Sequence, residues 1–279
     1  MSQKPIYCTA KDHLVSNEEF QLLLDTQLEM LITSPRPSQE DLGKYYESDN
    51  YISHTDEKKG LVSFLYQSVK NYSLTRKVDL IHKLTNTSGS VLDIGAGTGD
   101  FLVTAKNKGW NISGVEVNKK ARALAAKKMV VLEESIQKFS TKKFDAITMW
   151  HVLEHIPNYN EILDICHSLL KENGVLIIAV PNYKSYDAKH YKNYWAAYDV
   201  PRHLWHFSRN SLSKILNTNF NLIATKPMIF DSFYVSLLSE QYKTGNNFSL
   251  KAFWIGLLSN IKAWTTNEYS SLVYCFKKE

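Results

Sequence analysis

The sequence predicts an α/β fold: a mostly parallel sheet with helices on both faces. Three observations predict it. Short apolar runs alternate with amphipathic stretches between Ser90 and Asn182, three glycines crowd the end of the first run, and the amphipathic stretches end on lysine or glycine. The chain has 279 residues, 44% apolar and 22% charged, which is enough to bury a sizeable core and excludes a miniprotein or wholesale disorder.

Ser90 to Ile94 reads as the first strand, and Asp100 to Lys108 as a helix with Phe101, Leu102 and Ala105 on one side and Gly109 as its stop. Asn111 to Val117 is the second strand. Asn118 then caps a helix carrying Ala121, Leu124 and Ala125, before a short third strand, Met129 to Leu132. Phe144 to Met149 is the fourth strand. The helix around Glu161 to Leu170 places Ile162, Ile165, Cys166 and Leu169 at helical spacing, so Cys166 belongs to the core, and Gly174 releases the chain into the fifth strand, Val175 to Val180.

The flanks are less regular. Residues 1–60 are polar, with Pro35 and Pro37, and read as an N-terminal accessory segment. Leu61 to Leu84 is one or two helices. After Pro181, eight aromatic residues fall within the 25 from Tyr183 to Phe207, forming a substrate wall or a packed cap. A helix near Ser211 to Leu216 and a strand near Asn221 to Thr225 follow. Residues 230–264 are apolar and helical in pattern, an insertion before a last edge strand at Ser271 to Phe276. The main domain is therefore 61–229 with 265–279.

Composition narrows the function. Val175 to Val180 is the longest apolar run, far short of the roughly 20 residues of a membrane-spanning helix, and MSQKPIYCTAKDHL lacks the apolar core of a secretory signal. A cytoplasmic location and no integral membrane association are the expectation. The net charge of +5 comes from 33 basic and 28 acidic residues, the lysines scattered, so nucleic acid is not the expected partner. Cys8, Cys166 and Cys275 are too few and too far apart for a disulfide framework or a Cys-x-x-Cys site.

The chemistry concentrates in VLDIGAGTGDF. Gly95, Gly97 and Gly99 let the backbone turn sharply and approach a flat, nucleoside-sized ligand. Asp93 stands where its carboxylate organises the loop and meets a positive group. Glu116, at the end of the second strand, can accept both hydroxyls of a ribose. Dinucleotide sites want G-x-G-x-x-G and a phosphate on the helix N-terminus. Here the spacing is G-x-G-x-G and Asp100 follows, which disfavours a pyrophosphate and tolerates a sulfonium with an amino-acid tail.

These residues, with FDAITMWHVLEHIPN and ENGVLIIAVPN, resemble the class I S-adenosylmethionine-dependent methyltransferases over about Ser90 to Asn182. The stretch is most similar to the small-molecule branch that includes ubiquinone-biosynthesis O-methyltransferases and sugar or natural-product methyltransferases. The resemblance implies a Rossmann-like, seven-stranded, mostly parallel sheet whose last strand runs antiparallel. It implies S-adenosylmethionine as cofactor, with Gly95, Ala96 and Gly97 along the methionine moiety, Glu116 on the ribose, Val117 on the adenine and Ser135 and Ile136 at the adenine edge. Trp150 and His151 would border the methionine tail and the methyl group. Some ubiquinone-pathway members carry Glu where this chain has His151, a departure that counts against a ubiquinone precursor as acceptor. The 230–264 insertion would cover the acceptor pocket or form a homodimer contact.

A looser resemblance joins TSPRPSQEDLGKYYESDNYISH and YDVPRHLWHFS to bacterial methyltransferases that begin with a zinc-ribbon-like segment. Here Cys8 stands alone, and Asp25 and Leu28 occupy the place of a second cysteine pair, so the ribbon is degenerate and no metal is assigned.

His151, Glu154 and His155 fall at i, i+3 and i+4, one face of a helix, suited to a metal or to handling protons. His203 and His206 recur beside Asp199 and Arg202. The resulting expectation is methyl transfer to a small-molecule acceptor at oxygen, with His155 or His203 as base and His151 shaping the donor site. The competing readings are a non-catalytic S-adenosylmethionine-binding protein and an NAD(P)-dependent oxidoreductase.

Overall fold

The computed structural model describes residues 4–46 and 61–279, so the accessory-segment expectation over 47–60 lies outside the described residues. The chain opens with antiparallel strands β1 (Ile6–Lys11), β2 (Glu19–Asp25) and β3 (Met30–Ser34) and a short helix α1 (Gln39–Leu42). Then come α2 (Leu61–Thr85), β4 (Ser90–Ile94), α3 (Asp100–Asn107), β5 (Asn111–Val115), α4 (Lys119–Lys127), β6 (Phe144–Trp150), α5 (Tyr159–Leu169) and β7 (Leu170–Pro181). The remainder is α6 (Tyr186–Tyr191), β8 (Trp205–His206), α7 (Ser211–Leu216), β9 (Phe220–Pro227), α8 (Asp231–Thr244), α9 (Leu250–Thr266) and β10 (Ser271–Lys278).

The main sheet runs β5-β4-β6-β7-β10-β9, parallel from β5 to β7, with β10 antiparallel to both its neighbours. Side chains of alternate residues serve opposite faces. Leu92, Ile147 and Ile178 join one core with α5 and α7, whereas Val91, Ala146 and Ile177 join the other with α2 and α3. Val175 to Val180 are all buried, as a parallel strand covered on both faces requires, each Val, Leu and Ile side chain among them contributing roughly 1.5–3 kcal/mol.

Four expectations are corrected here, and one left open between two readings is decided. The sheet has six strands among the described residues, not seven. In the predicted third strand Val130 and Leu132 turn inward while Met129 and Val131 stay exposed, and ladder pairing is reduced to one bridge, Val115 to Glu133. The predicted edge strand, β10, lies between β7 and β9, which makes β9 the edge. Gly174 does not start the fifth strand but sits inside β7, where a Cβ would come 2.9 Å from the Lys171 carbonyl. Finally, the aromatic run is a packed layer. Tyr183, Tyr191, Trp195 and Tyr198 are buried against Phe20, Leu22 and Leu31 of the N-terminal sheet, and the Trp195 indole donates to Asp187 at 2.7 Å.

That N-terminal sheet borrows β8 as its fourth strand, Leu31 pairing with His206. The zinc-ribbon resemblance is not confirmed by it. Cys8 sits in β1, its thiol pushed up to about 11 by burial. Asp25 closes a turn by accepting the Gln27 and Leu28 amides, both at 3.0 Å, and pairs with Lys4.

Candidate active site

At the carboxyl end of β4 all three glycines adopt positive φ: 70° at Gly95, 54° at Gly97 and 77° at Gly99. Their surroundings differ. A Cβ on Gly95 would strike Val152 at 2.4 Å and one on Gly99 would crowd Ala125 at 3.1 Å, whereas one on Gly97 would meet nothing within 4 Å. Gly95 and Gly99 are packed; Gly97 faces open space, the room a ligand needs. Glu116 is drawn onto this loop: the Gly97 N–H donates to Oε2 and the Asn118 N–H to Oε1, each at 2.8 Å. A carboxylate has about four acceptor sites, so two remain for hydroxyl donors.

Around this loop Ala96 is buried, Val117 exposed, and Ser135 caps the short turn Ile136–Phe139. Ile136 belongs to the core rather than to an open edge. Asp100 is not the bare negative charge its position suggests: Lys70 lies 2.8 Å and Lys128 2.5 Å from its two oxygens, so the argument against a phosphate from Asp100 fails.

Asp93 is buried and accepts the Thr148 hydroxyl at 2.6 Å. Burial pushes its carboxyl up to about 7, against the Thr148 hydrogen bond and the charge of Lys77. The Lys77 ammonium stands 4.3 Å from the centre of the Trp150 ring, and the buried Trp150 Nε1 has no hydrogen-bond partner among the described residues. Trp150, Lys77, Tyr72, Arg76, Met228 and Phe230 line part of a 420 Å³ cavity between α2 and the start of α8.

The histidines do not share a helix face. His151 has φ 57° at the end of β6, and Leu153–His155 is a single 3-10 turn, because the chain must bend sharply off the strand. His151 Nε2 lies 3.0 Å from Asp231 and Nδ1 3.5 Å from Glu154. Burial works against its charge, but the two carboxylates outweigh it and raise His151 to about 9. It is an imidazolium at neutral pH. Burial opposes ionisation of Glu154, yet His151 and the neighbouring histidines hold its carboxyl below the usual range.

His155 and His203 meet edge to face with ring centres 4.5 Å apart. Each has Nδ1 facing a backbone carbonyl, that of Arg202 at 3.1 Å and of Ala197 at 2.9 Å, which fixes Nδ1–H as donor and leaves Nε2 as acceptor. Burial, then the charge of His203, lowers His155 to about 4. His203 Nε2 lies 3.8 Å from Asp199 Oδ2, while Asp199 Oδ1 accepts two hydrogen bonds from Arg202, at 2.7 and 2.9 Å. His206 is structural, its Nε2 3.0 Å from the Thr33 hydroxyl.

The structure thus gathers Gly95, Gly97, Gly99 and Glu116 in one loop cluster, and His155 with His203 in another, with His151 and Glu154 joined beside it. Lys77, Thr148 and Asp231 were missed as site residues. Lys77 shows no pattern distinguishing it from the other lysines of its helix, and Asp231 reaches His151 only through the tertiary fold.

The model of a family described as a methyltransferase domain matches residues 66–225, more than half of the chain. The ubiquinone biosynthesis O-methyltransferase of Glaesserella parasuis is 32% identical over 106 residues, covering 33% of this chain and 45% of that protein. An uncharacterised protein of Methanocaldococcus jannaschii is 32% identical over 150 residues, covering 50% of this chain and 58% of that one. The chain spans about half the length of the curated relatives it matches. Among solved structures, magnesium protoporphyrin IX methyltransferase from Synechocystis aligns with a TM-score of 0.57 at 15% identity, over 87% of this chain and all of that one, a likeness of fold. With this fold, and with the glycine loop and Glu116 inside the matched span, the chain belongs to the methyltransferase-domain family.

Proposed function

We propose that the chain moves a methyl group from S-adenosylmethionine to a small-molecule acceptor, at oxygen. The observation that carries the donor half is the Glu116 carboxylate fixed on the Gly97 N–H beside open space, with two acceptor sites left for ribose hydroxyls. Asp93, buried and half-ionised near neutrality, suits a cationic amino-acid tail. Exposed Val117 offers an apolar face to a purine.

When bound, S-adenosylmethionine supplies a methyl group already activated by its sulfonium, so the protein's main task is alignment. For a hydroxyl acceptor the chain must also remove a proton. Both rings present Nε2 as the acceptor nitrogen, but His203 is the better base of the pair because Asp199 stands where it can stabilise the imidazolium that forms. His155, lowered to about 4, is a weak proton acceptor and serves to orient its neighbour. With the donor bound, His203 would take the proton of the acceptor hydroxyl at Nε2. His151 is a fixed positive charge at the strand end.

Calorimetry with S-adenosylmethionine and with NAD tests the donor site. Binding of the first alone is expected; failure of the first to bind refutes the reading. Mass spectrometry after incubation with phenolic and sugar hydroxyl acceptors then separates an enzyme from a non-catalytic binder.

A further inference from the structure

Helix α9 is built inside out. Its inward positions are Ala252, Ile255, Gly256, Ser259 and Ala263, mostly small, and its large apolar side chains Leu250, Phe253, Trp254, Leu258, Ile261 and Trp264 are exposed. At 100° per residue these six fall within about 140° of the helix surface, one continuous stripe. Phe248, 77% exposed just before the helix, extends it, and Trp264 at the other end is 73% exposed. The helix cannot roll to hide the stripe. A Cβ on Gly256 would already lie 2.9 Å from the Phe233 backbone of α8, and Ser259 donates to buried Asp187 at 2.6 Å.

Charge decides what covers this face. The α8–α9 hairpin carries Lys243, Lys251 and Lys262, and its two acidic residues are spoken for: Asp231 pairs with His151, and buried Glu240 with Lys251. Lys251 and Lys262 lie on one flank of the stripe. A second copy seated here about a two-fold axis would bring both sets of lysines together with no exposed hairpin carboxylate to meet them. An apolar stripe holding two tryptophans, flanked on one side by Lys262 and by Lys251 with its Glu240 partner, instead suits the interface of a bilayer with anionic headgroups, entered to roughly 5–10 Å.

We infer that α9 docks the protein on anionic membrane surfaces, lying in the plane of the interface. The placement bears on the cavity beside Trp150. The Asn260 side chain of α9 donates to the Ile229 carbonyl at 2.9 Å, and Ile229 lines that cavity. The docked helix is thus one hydrogen bond away from a residue of the cavity wall.

Flotation of the full chain with vesicles of phosphatidylcholine, alone or mixed with phosphatidylglycerol, tests the inference. The wild type is expected to float with the mixed vesicles only, its tryptophan emission shifting to the blue. Trp254→Ser with Trp264→Ser should abolish flotation, and Lys243→Gln and Lys262→Gln should each weaken it roughly fivefold. Should the double variant lose its thermal transition, Phe248→Ser, in the loop, provides the same readout. The inference is overturned by no flotation, by equal flotation with both vesicles, by flotation that survives the tryptophan changes, or by a wild-type dimer that those changes split.

Discussion

His151 at the end of β6 and Asp231 at the start of α8 stand 3.0 Å apart, an ion pair fastening the strand end beside the glycine loop to the helical hairpin. Its contribution depends on pH in one direction. His151 is raised from 6.5 to about 9, so the stabilisation is complete below about 6.5 and is lost as pH rises through about 9. With a third of the ring exposed, His151→Gln should cost on the order of 1–2 kcal/mol at neutral pH. Denaturant titrations should show that cost shrinking between pH 6.5 and 9; a constant difference would refute the pairing.

His155 behaves oppositely. Its lowering from 6.5 to about 4 means that it stabilises the fold above 6.5 and that this share is lost as pH falls toward 4. The stability gap between wild type and His155→Gln should therefore narrow on acidification through this window. A gap that widens instead would mean that His155 is charged in the fold.

Glu116→Ala removes charge-assisted hydrogen bonds of about 1.5–3 kcal/mol and should weaken S-adenosylmethionine tenfold or more in calorimetry. The glycines should separate. Gly97→Ala, strained at φ 54° but unobstructed, should lose cofactor affinity with about 1–2 kcal/mol of stability. Gly95→Ala, aimed at Val152, should unfold more readily than either.

Asp93 near 7 predicts proton release on binding the cationic donor, about half a proton at neutral pH. Calorimetry in two buffers of different ionisation enthalpy measures it. Asp93→Asn should abolish the release, and a wild type that releases none would remove Asp93 from the donor site.

With a competent acceptor, His203→Ala should slow methyl transfer by roughly two to four orders of magnitude and leave cofactor affinity intact. Asp199→Asn should have a smaller effect in the same direction, since it removes the carboxylate 3.8 Å from His203 Nε2. Normal turnover in His203→Ala would show that alignment alone suffices.

The parallel half of the sheet was legible because local pattern and tertiary need coincide there: β4, β6 and β7 are apolar runs between capped helices. The glycine loop was legible for the same reason, its geometry being local. The third strand was not. Met129 to Leu132 has a strand's composition, yet residues outside the run decide whether its backbone pairs, and only Glu133 does. The histidines show the other limit. Sequence placed His151 and His155 four residues apart and gave no sign that one would be charged and the other neutral. That difference comes from Asp231 on a distant helix and from the buried wall formed with His203.

Because β10 is threaded between β7 and β9, β9 holds its place in the sheet only through a segment synthesised after it. During translation β7 and β9 each wait with a bare edge, and the hairpin of α8 and α9 emerges with its aromatic stripe before the sheet can close. Until Ser271 to Lys278 slides in, two unsatisfied strand edges invite pairing with another nascent chain. The order of biosynthesis thus makes β10 the gatekeeper of solubility: the risk of aggregation is greatest after β9 has formed and before β10 has paired.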